Sequence, residues 1–415
     1  MESFASLGIS PGFIEKLMGR NIREPTPIQK LVIPSLLAGK NVLFCSAPGT
    51  GKTFAYLLPL FQTLFGSVTA ESEDDPGSGG RGTELLVLAP TLELCSQIKK
   101  EADFLLDGQD RRLKVNLVIG SANLERQIGV LKRDRPRVIV GNPGRLVLLA
   151  RMKKLKLGNL RALVLDEGDR LFAEELASDT RELLGLINPD RQFTACSATL
   201  SPKIREVLLP FMREGALFVE TGEEGILRDR IEHWAFFCEE RRKIQNLRSL
   251  LGSVKPKKAL VFSGRGGQPG NIVSQLQYHH FPAVGLYGDM DKKKRKEAID
   301  GFRSGKITIL VSSDLAARGL DIPGITHVIA LDVPAEAGPY IHRAGRTGRA
   351  GSRGVMITIG DADEMRRLAR LEKKLGITVY PKVLYQGRVC PPEPLEEKAP
   401  SKIIVPPGSA QKVRE

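Results

Sequence analysis

The stretch that most constrains this chain is Ser46-Ala47-Pro48-Gly49-Thr50-Gly51-Lys52-Thr53. It follows Val42 to Cys45, an apolar run that reads as a short buried strand, and precedes Phe54 to Leu64, which reads as a helix. Strand, glycine-rich turn and helix in that order aim several backbone N–H groups and a helix N-terminus into one concavity. Polyphosphate oxygens there replace the missing intrahelical partners. Lys52 supplies a point charge for β- and γ-phosphates, and the Thr53 hydroxyl a ligand for Mg²⁺. The strict pattern opens with glycine, and here Ser46 stands first. By itself the loop therefore reads either as a nucleotide-phosphate site or as an ordinary glycine-containing turn.

At 415 residues the chain exceeds one ordinary core, so two domains of roughly 150–220 residues are expected. Short apolar runs alternate with helical stretches. The first series is Leu85 to Ala89, Val115 to Ile119, Val138 to Val140, Ala162 to Leu165 and Phe193 to Cys196. The second is Ala259 to Phe262, Ala283 to Tyr287, Ile307 to Val311, Val328 to Leu331 and Val355 to Ile359. Such alternation predicts an α/β fold in which each domain is a mainly parallel sheet flanked by helices, with the active loops at the strand C-termini. The expected boundaries are 1–220 for the first domain, with an acidic, glycine-rich surface insertion at 67–83, and 221–226 for a hinge. The second domain is placed at 227–382, and 383–415 is expected to be an extended Pro-rich tail.

Composition narrows the function. No run approaches the ~18 apolar residues of a membrane span, and the N-terminus shows no secretory signal. The five cysteines form no C-x-x-C pair and read as buried reduced thiols of an intracellular protein. A net charge of +14 points to a polyanionic partner, nucleic acid before anionic membrane. Aromatics are only 6%, so stacking platforms are not the main mode of binding.

Two further clusters carry chemistry. Asp166-Glu167-Gly168-Asp169 follows the run Leu163 to Leu165, and carboxylates at the end of a buried strand are costly unless a cation holds them. In a phosphate site the first would hold Mg²⁺ and the second would orient the attacking water, the alternative being a capped turn. His342-Arg343-Ala344-Gly345-Arg346-Thr347-Gly348-Arg349 sets three arginines among small residues, an anion clamp suited to a γ-phosphate offered across a cleft. Two basic runs, Lys255 to Lys258 and Lys292 to Lys296, read as solvated charge or as part of a nucleic-acid path.

Together these stretches resemble the DEAD-box RNA helicases, ATP-dependent enzymes of two RecA-like domains, over about Phe4 to Ile377. The resemblance implies ATP and Mg²⁺ as ligands. Phe4, Pro25, Thr26 and Gln29 match the adenine-reading segment, and Ala47, Pro48, Gly49, Thr50, Gly51, Lys52 and Thr53 the phosphate loop. Asp166 and Glu167 match the catalytic and metal-holding carboxylates, while Asp169, Ser197, Thr199 and Arg343 match positions that couple the domains. Gly319, Asp321, His342, Arg346 and Arg349 are implied on the nucleotide from the second domain. RNA contacts are implied at Pro90, Thr91, Gly120, Asn142, Pro143, Gly144, Arg145, Arg295, Ser313, Asp314 and Asp321. Departures from the family pattern are Ile22 for an aromatic, Leu92 for Arg, Ser121 for Gly, Asn142 for Thr, Gly168 for Ala and Tyr287 for His.

The implied activity is RNA-stimulated ATP hydrolysis with local unwinding of short duplexes, read through the backbone and without sequence preference. An ATP-regulated RNA clamp or assembly factor is the alternative, motivated by Ile22, Leu92 and Ser121. The resemblance further implies a monomer acting on single-stranded or short duplex RNA, with ribosomal or other ribonucleoprotein components as partners. Cytoplasm or nucleus is expected, or an organelle if a transit segment precedes this chain.

Overall fold

The computed structural model describes residues 2–46, 49–65, 82–107, 113–197, 202–212, 215–220, 230–264, 269–287, 290–317, 322–349 and 352–392. The hinge expected at 221–226 and most of the insertion expected at 67–83 lie outside them. Among the described residues the strands are β1 (Val42–Cys45), β2 (Leu85–Leu88), β3 (Val115–Val118), β4 (Val138–Gly141), β5 (Ala162–Asp166), β6 (Gln192–Ser197) and β7 (Leu217–Glu220) in the first half. The second half has β8 (Ile231–Phe237), β9 (Ala259–Phe262), β10 (Ala283–Leu286), β11 (Ile309–Ser312), β12 (His327–Ala330), β13 (Gly354–Gly360) and β14 (Val379–Pro381).

They form two seven-stranded sheets, ordered β3-β4-β2-β5-β6-β1-β7 and β10-β11-β9-β12-β13-β8-β14, and every pairing in both is parallel. Helices cover both faces of each sheet, which is why the strands read as unbroken apolar runs. The two-residue period divides each strand between two cores. Val42 and Phe44 enter one, Leu43 and Cys45 the other; in the second domain Ala259 and Val261 separate likewise from Leu260 and Phe262. Among the described residues no helix is long and apolar enough to cross a membrane.

The extended tail expected from 383 is corrected over its first residues. β15 (Val383–Tyr385) and β16 (Arg388–Cys390) pair antiparallel, with Gln386 at φ 47 and Gly387 at φ 74 making the turn. Two positive φ values in a two-residue loop match the right-handed twist of the flanking strands.

Candidate functional site

The strand C-termini of the first sheet carry the chemistry. After β1, Gly49 (φ 85) and Gly51 (φ 89) take left-handed conformations that a side chain rarely adopts. At Gly51 space is also closed, since a Cβ would lie 2.5 Å from Gln29 Nε2. That amide donates to the Gly51 carbonyl at 3.0 Å, while Gln29 Oε1 accepts from Thr26 N at 2.9 Å. Thr26 and Gln29 thereby cap the helix Pro27–Leu37 and tie it to the phosphate loop. Gln29 is 2% exposed and keeps one N–H and one lone pair for a base edge. Phe4, implied in the same segment, is likewise 2% exposed and packs into the core. Lys52 Nζ donates to the Ser46 carbonyl at 2.6 Å, and the Ser46 and Thr50 hydroxyls are bonded to each other. Ser46, standing where the strict pattern has glycine, thus braces the loop. Ala47 and Pro48 lie outside the described residues.

Asp166 ends β5 and is buried. Its Oδ2 accepts from the Tyr56 phenol at 2.9 Å, and its Oδ1 from Cys196 Sγ at 3.1 Å and Glu167 N at 3.0 Å. Burial raises its pKa above the ordinary carboxylate value, opposed by the charge of Lys52 and by these donors. Neither Tyr56 nor Cys196 was singled out in the sequence. Tyr56 was recoverable, being four residues beyond Lys52 on one helix face, whereas Cys196 meets Asp166 only through the register of β5 and β6. Glu167 is held at φ 54, ψ 53, a strained conformation for a residue with a side chain. Gly168 does not require glycine, since a Cβ there would meet nothing nearer than 3.7 Å. Asp169 is held down at about 2: burial alone would raise it, and the His342 imidazole and the Ser197 hydroxyl outweigh that. His342 Nε2 lies 3.6 Å from Asp169 Oδ2, longer than a direct hydrogen bond. Ser197 also accepts, through its carbonyl, from Ser46 N at 3.1 Å. Thr199 lies outside the described residues.

From the second domain, Arg349 reaches the phosphate loop. A Cβ on Gly49 would lie 3.4 Å from Arg349 Cγ, and Arg349 Nε donates to the Gly345 carbonyl at 2.8 Å. Arg346 is buried beside it in the chain. Arg343, expected to couple the domains, bonds Asp314 bidentately at 2.7 and 2.6 Å and Asp332 through carbonyl and carboxylate at 2.9 and 3.0 Å within the second domain. The same pairing commits the Asp314 carboxylate, expected on RNA, to holding the ends of β11 and β12 together. Ser313 Oγ accepts from Ala316 N at 3.3 Å and so caps the next turn. Gly319 and Asp321 lie outside the described residues.

The remaining loop residues gather at the ends of β2, β3 and β4. Pro90 precedes Thr91, whose hydroxyl caps the helix Leu92–Leu106 by accepting from Leu94 N at 3.2 Å. Arg145 donates to the carbonyls of Gly120 at 2.6 Å and Ala122 at 3.0 Å, and so shapes that loop. Asn142 and Pro143 open the helix Pro143–Arg151, and a buried Asn142 Oδ1 has no partner. At Gly144 a Cβ would meet Asp179 Oδ2 at 2.8 Å, so that carboxylate would have to turn aside. Arg295 bridges the domains through Glu93 at 2.8 Å and also bonds the Ala316 carbonyl.

The oxygen donors at Thr53, Asp166 and Glu167 suit a hard divalent cation, and the buried Asp166 carboxylate beside Lys52 is a group that such an ion would stabilise.

Two parallel α/β domains meeting at a phosphate loop, with Arg349 of one lying against the loop of the other, define a tandem RecA-like architecture. Residues 26–207 match the DEAD/DEAH box helicase family model and 242–351 the helicase conserved C-terminal domain. The chain is 35% identical over 382 residues to the DEAD-box ATP-dependent RNA helicase CshC of Bacillus cereus, covering 92% of both. It is 32% identical to the ATP-dependent RNA helicase CshA of Limosilactobacillus reuteri, covering 91% of this chain and 73% of that one. The structure of S. cerevisiae Dbp5 bound to RNA and ADP BeF3 is similar at a TM-score of 0.79 and 26% identity, covering 92% of this chain and 96% of that one. The chain belongs to the DEAD-box family of ATP-dependent RNA helicases, RNA-stimulated ATPases of two RecA-like domains.

Proposed function

We propose that the chain hydrolyses ATP when single-stranded RNA and nucleotide draw its two domains together, and that it opens short RNA duplexes without reading their sequence. The observation that carries this reading is Arg349, which belongs to the second domain and lies against Gly49 of the phosphate loop in the first. In that position Arg349 and Arg346 serve as fingers for charge developing on the γ-phosphate, a role that contributes about 10³–10⁵ in rate in phosphoryl-transfer enzymes. Lys52 holds the β- and γ-phosphates, and Glu167 orients the attacking water. Thr53, Asp166 and Glu167 would hold Mg²⁺, which neutralises phosphate charge when bound. Gln29 selects adenine with its remaining amide valences. The loops at Thr91, Gly120 and Asn142 to Arg145 grip phosphates and 2′-hydroxyls. The clamp alternative has one supporting observation: Leu92, standing where the family has Arg, packs on the core and offers the RNA no cation.

Steady-state ATP hydrolysis with and without single-stranded RNA tests the reading, with Lys52→Ala as the blank. RNA stimulation that vanishes in the blank supports it. Turnover indifferent to RNA would refute it. Strand displacement measured on the same samples separates unwinding from clamping.

A further inference from the structure

The N-terminal ends of β2 and β4, at the opposite edge of the first sheet from the nucleotide, border a cavity of about 650 Å³. Its wall carries Lys132, Arg135, Lys153, Lys154 and Lys156 over an apolar floor that includes Leu131, and among the described residues no carboxylate lines it. All five cations are exposed, and none has an ion pair among the described residues. The nearby carboxylates are already engaged, Asp134 by Arg133 and Lys114 and Glu84 by Arg137 and Arg161. Arg135 (φ 40) and Lys153 (φ 55) take left-handed conformations in which glycine would be unstrained. Helix dipoles account for a cation in a last turn, which Lys132 and Arg133 already supply to the helix Leu124–Asp134. They do not account for the other four, Arg135, Lys153, Lys154 and Lys156, around the same concavity.

A second cavity, about 410 Å³, runs along the same helix and the edge strand β3. It shares Leu131 with the first, reaches Ser121 and Asn123 beside Gly120, and is lined by Asn116, whose Nδ2 is buried without a partner. The two cavities flank Leu131, one bordering the proposed RNA loop and the other carrying the cations, and the strands between their ends are four residues or about 13 Å long.

We propose that the basic cavity is a second RNA site, which takes the phosphodiester backbone of a segment beyond the cleft and lengthens the footprint of the first domain. This rests on the RNA reading above. The neighbouring cavity, which borders the RNA loop on one side and Leu131 of the basic cavity on the other, favours RNA over an acidic protein as the occupant.

Anisotropy titrations in the presence of ATP compare single-stranded RNAs of ~8 and ~24 nucleotides, the shorter being on the scale of a single-strand site. Two variants remove charge: Arg135→Gly with Lys153→Gly, and Lys132→Gln with Lys154→Gln and Lys156→Gln. Wild type should bind the long RNA more tightly, and both variants should lose most of that advantage while short-RNA affinity holds. The slope of log affinity against log salt should fall by ~0.7 for each phosphate released. The glycine pair relieves backbone strain and should melt no lower than wild type, which separates lost binding from lost folding. An unchanged length advantage, or equal losses for both RNAs, would overturn the proposal. Displacement of RNA by poly-glutamate without any length effect would assign the cavity to an acidic protein instead. Failure of the short RNA to bind wild type would refute the RNA reading itself, whereas short-RNA binding without a length advantage refutes only the second site.

Discussion

Tyr56→Phe is the sharpest perturbation of the catalytic centre, because it removes one oxygen and leaves the packing intact. The phenol donates to Asp166 Oδ2 at 2.9 Å, both groups are buried, and water has little access to replace the lost donor. A hydrogen bond to a charged acceptor contributes about 1.5–3 kcal/mol, equivalent to roughly 1–2 pH units in the acceptor's ionisation. Burial already holds Asp166 above the ordinary carboxylate range. Removing a donor that favours the charged form raises it further, so at a given acid pH less of it is ionised. The acid limb of the RNA-stimulated kcat/KM profile should therefore move to higher pH by about 1–2 units, with the alkaline plateau nearly unchanged. Cys196→Ala should move it in the same direction by less, a thiol being the weaker donor. An acid limb that stays in place in a folded Tyr56→Phe protein would refute this reasoning.

Three further outcomes follow from the packing. Asp169 sits at about 2 against an ordinary 3.8, so its ionised form stabilises the folded chain by about 2 kcal/mol above pH ~4. That contribution is lost as pH falls from ~4 through ~2, and acid unfolding of Asp169→Asn should lack this component. Gly168→Ala should keep activity and leave thermal stability equal or higher by up to ~1 kcal/mol, since a Cβ meets only ordinary contacts there. Arg343→Ala should destabilise the second domain by about 3–5 kcal/mol in denaturant titration, because it leaves Asp314 and Asp332 without their shared partner.

What was legible in the sequence was local. The phosphate loop and the acidic tetrapeptide announced themselves because a strand end, a turn and a helix start are neighbours in sequence. The strand cores were found to within a residue or two, since burial on both faces leaves unbroken apolar runs. What escaped reading depended on register and on which strands lie side by side. Cys196 meets Asp166 only because β6 pairs with β5, and Asp332 meets Arg343 only through the packing of the second domain. The pairing of Arg343 with Asp314 was not legible either, because a fork of charges looks alike whether it binds a ligand or another loop. The strands β7, β8 and β14 were missed because their burial is partial, and the hairpin because proline content outweighed Gln386-Gly387, a turn signal between alternating residues.

The central claim is that nucleotide and RNA together bring the two domains into contact at the phosphate loop. Its most direct test is energy transfer between fluorophores on cysteines introduced at Met18 and Tyr278, exposed positions in the first and second domains. Transfer should rise to its closed value only when ATP and single-stranded RNA are both present, and Lys52→Ala should abolish the rise. Transfer that is insensitive to both ligands, or a rise that persists in Lys52→Ala, would contradict the account.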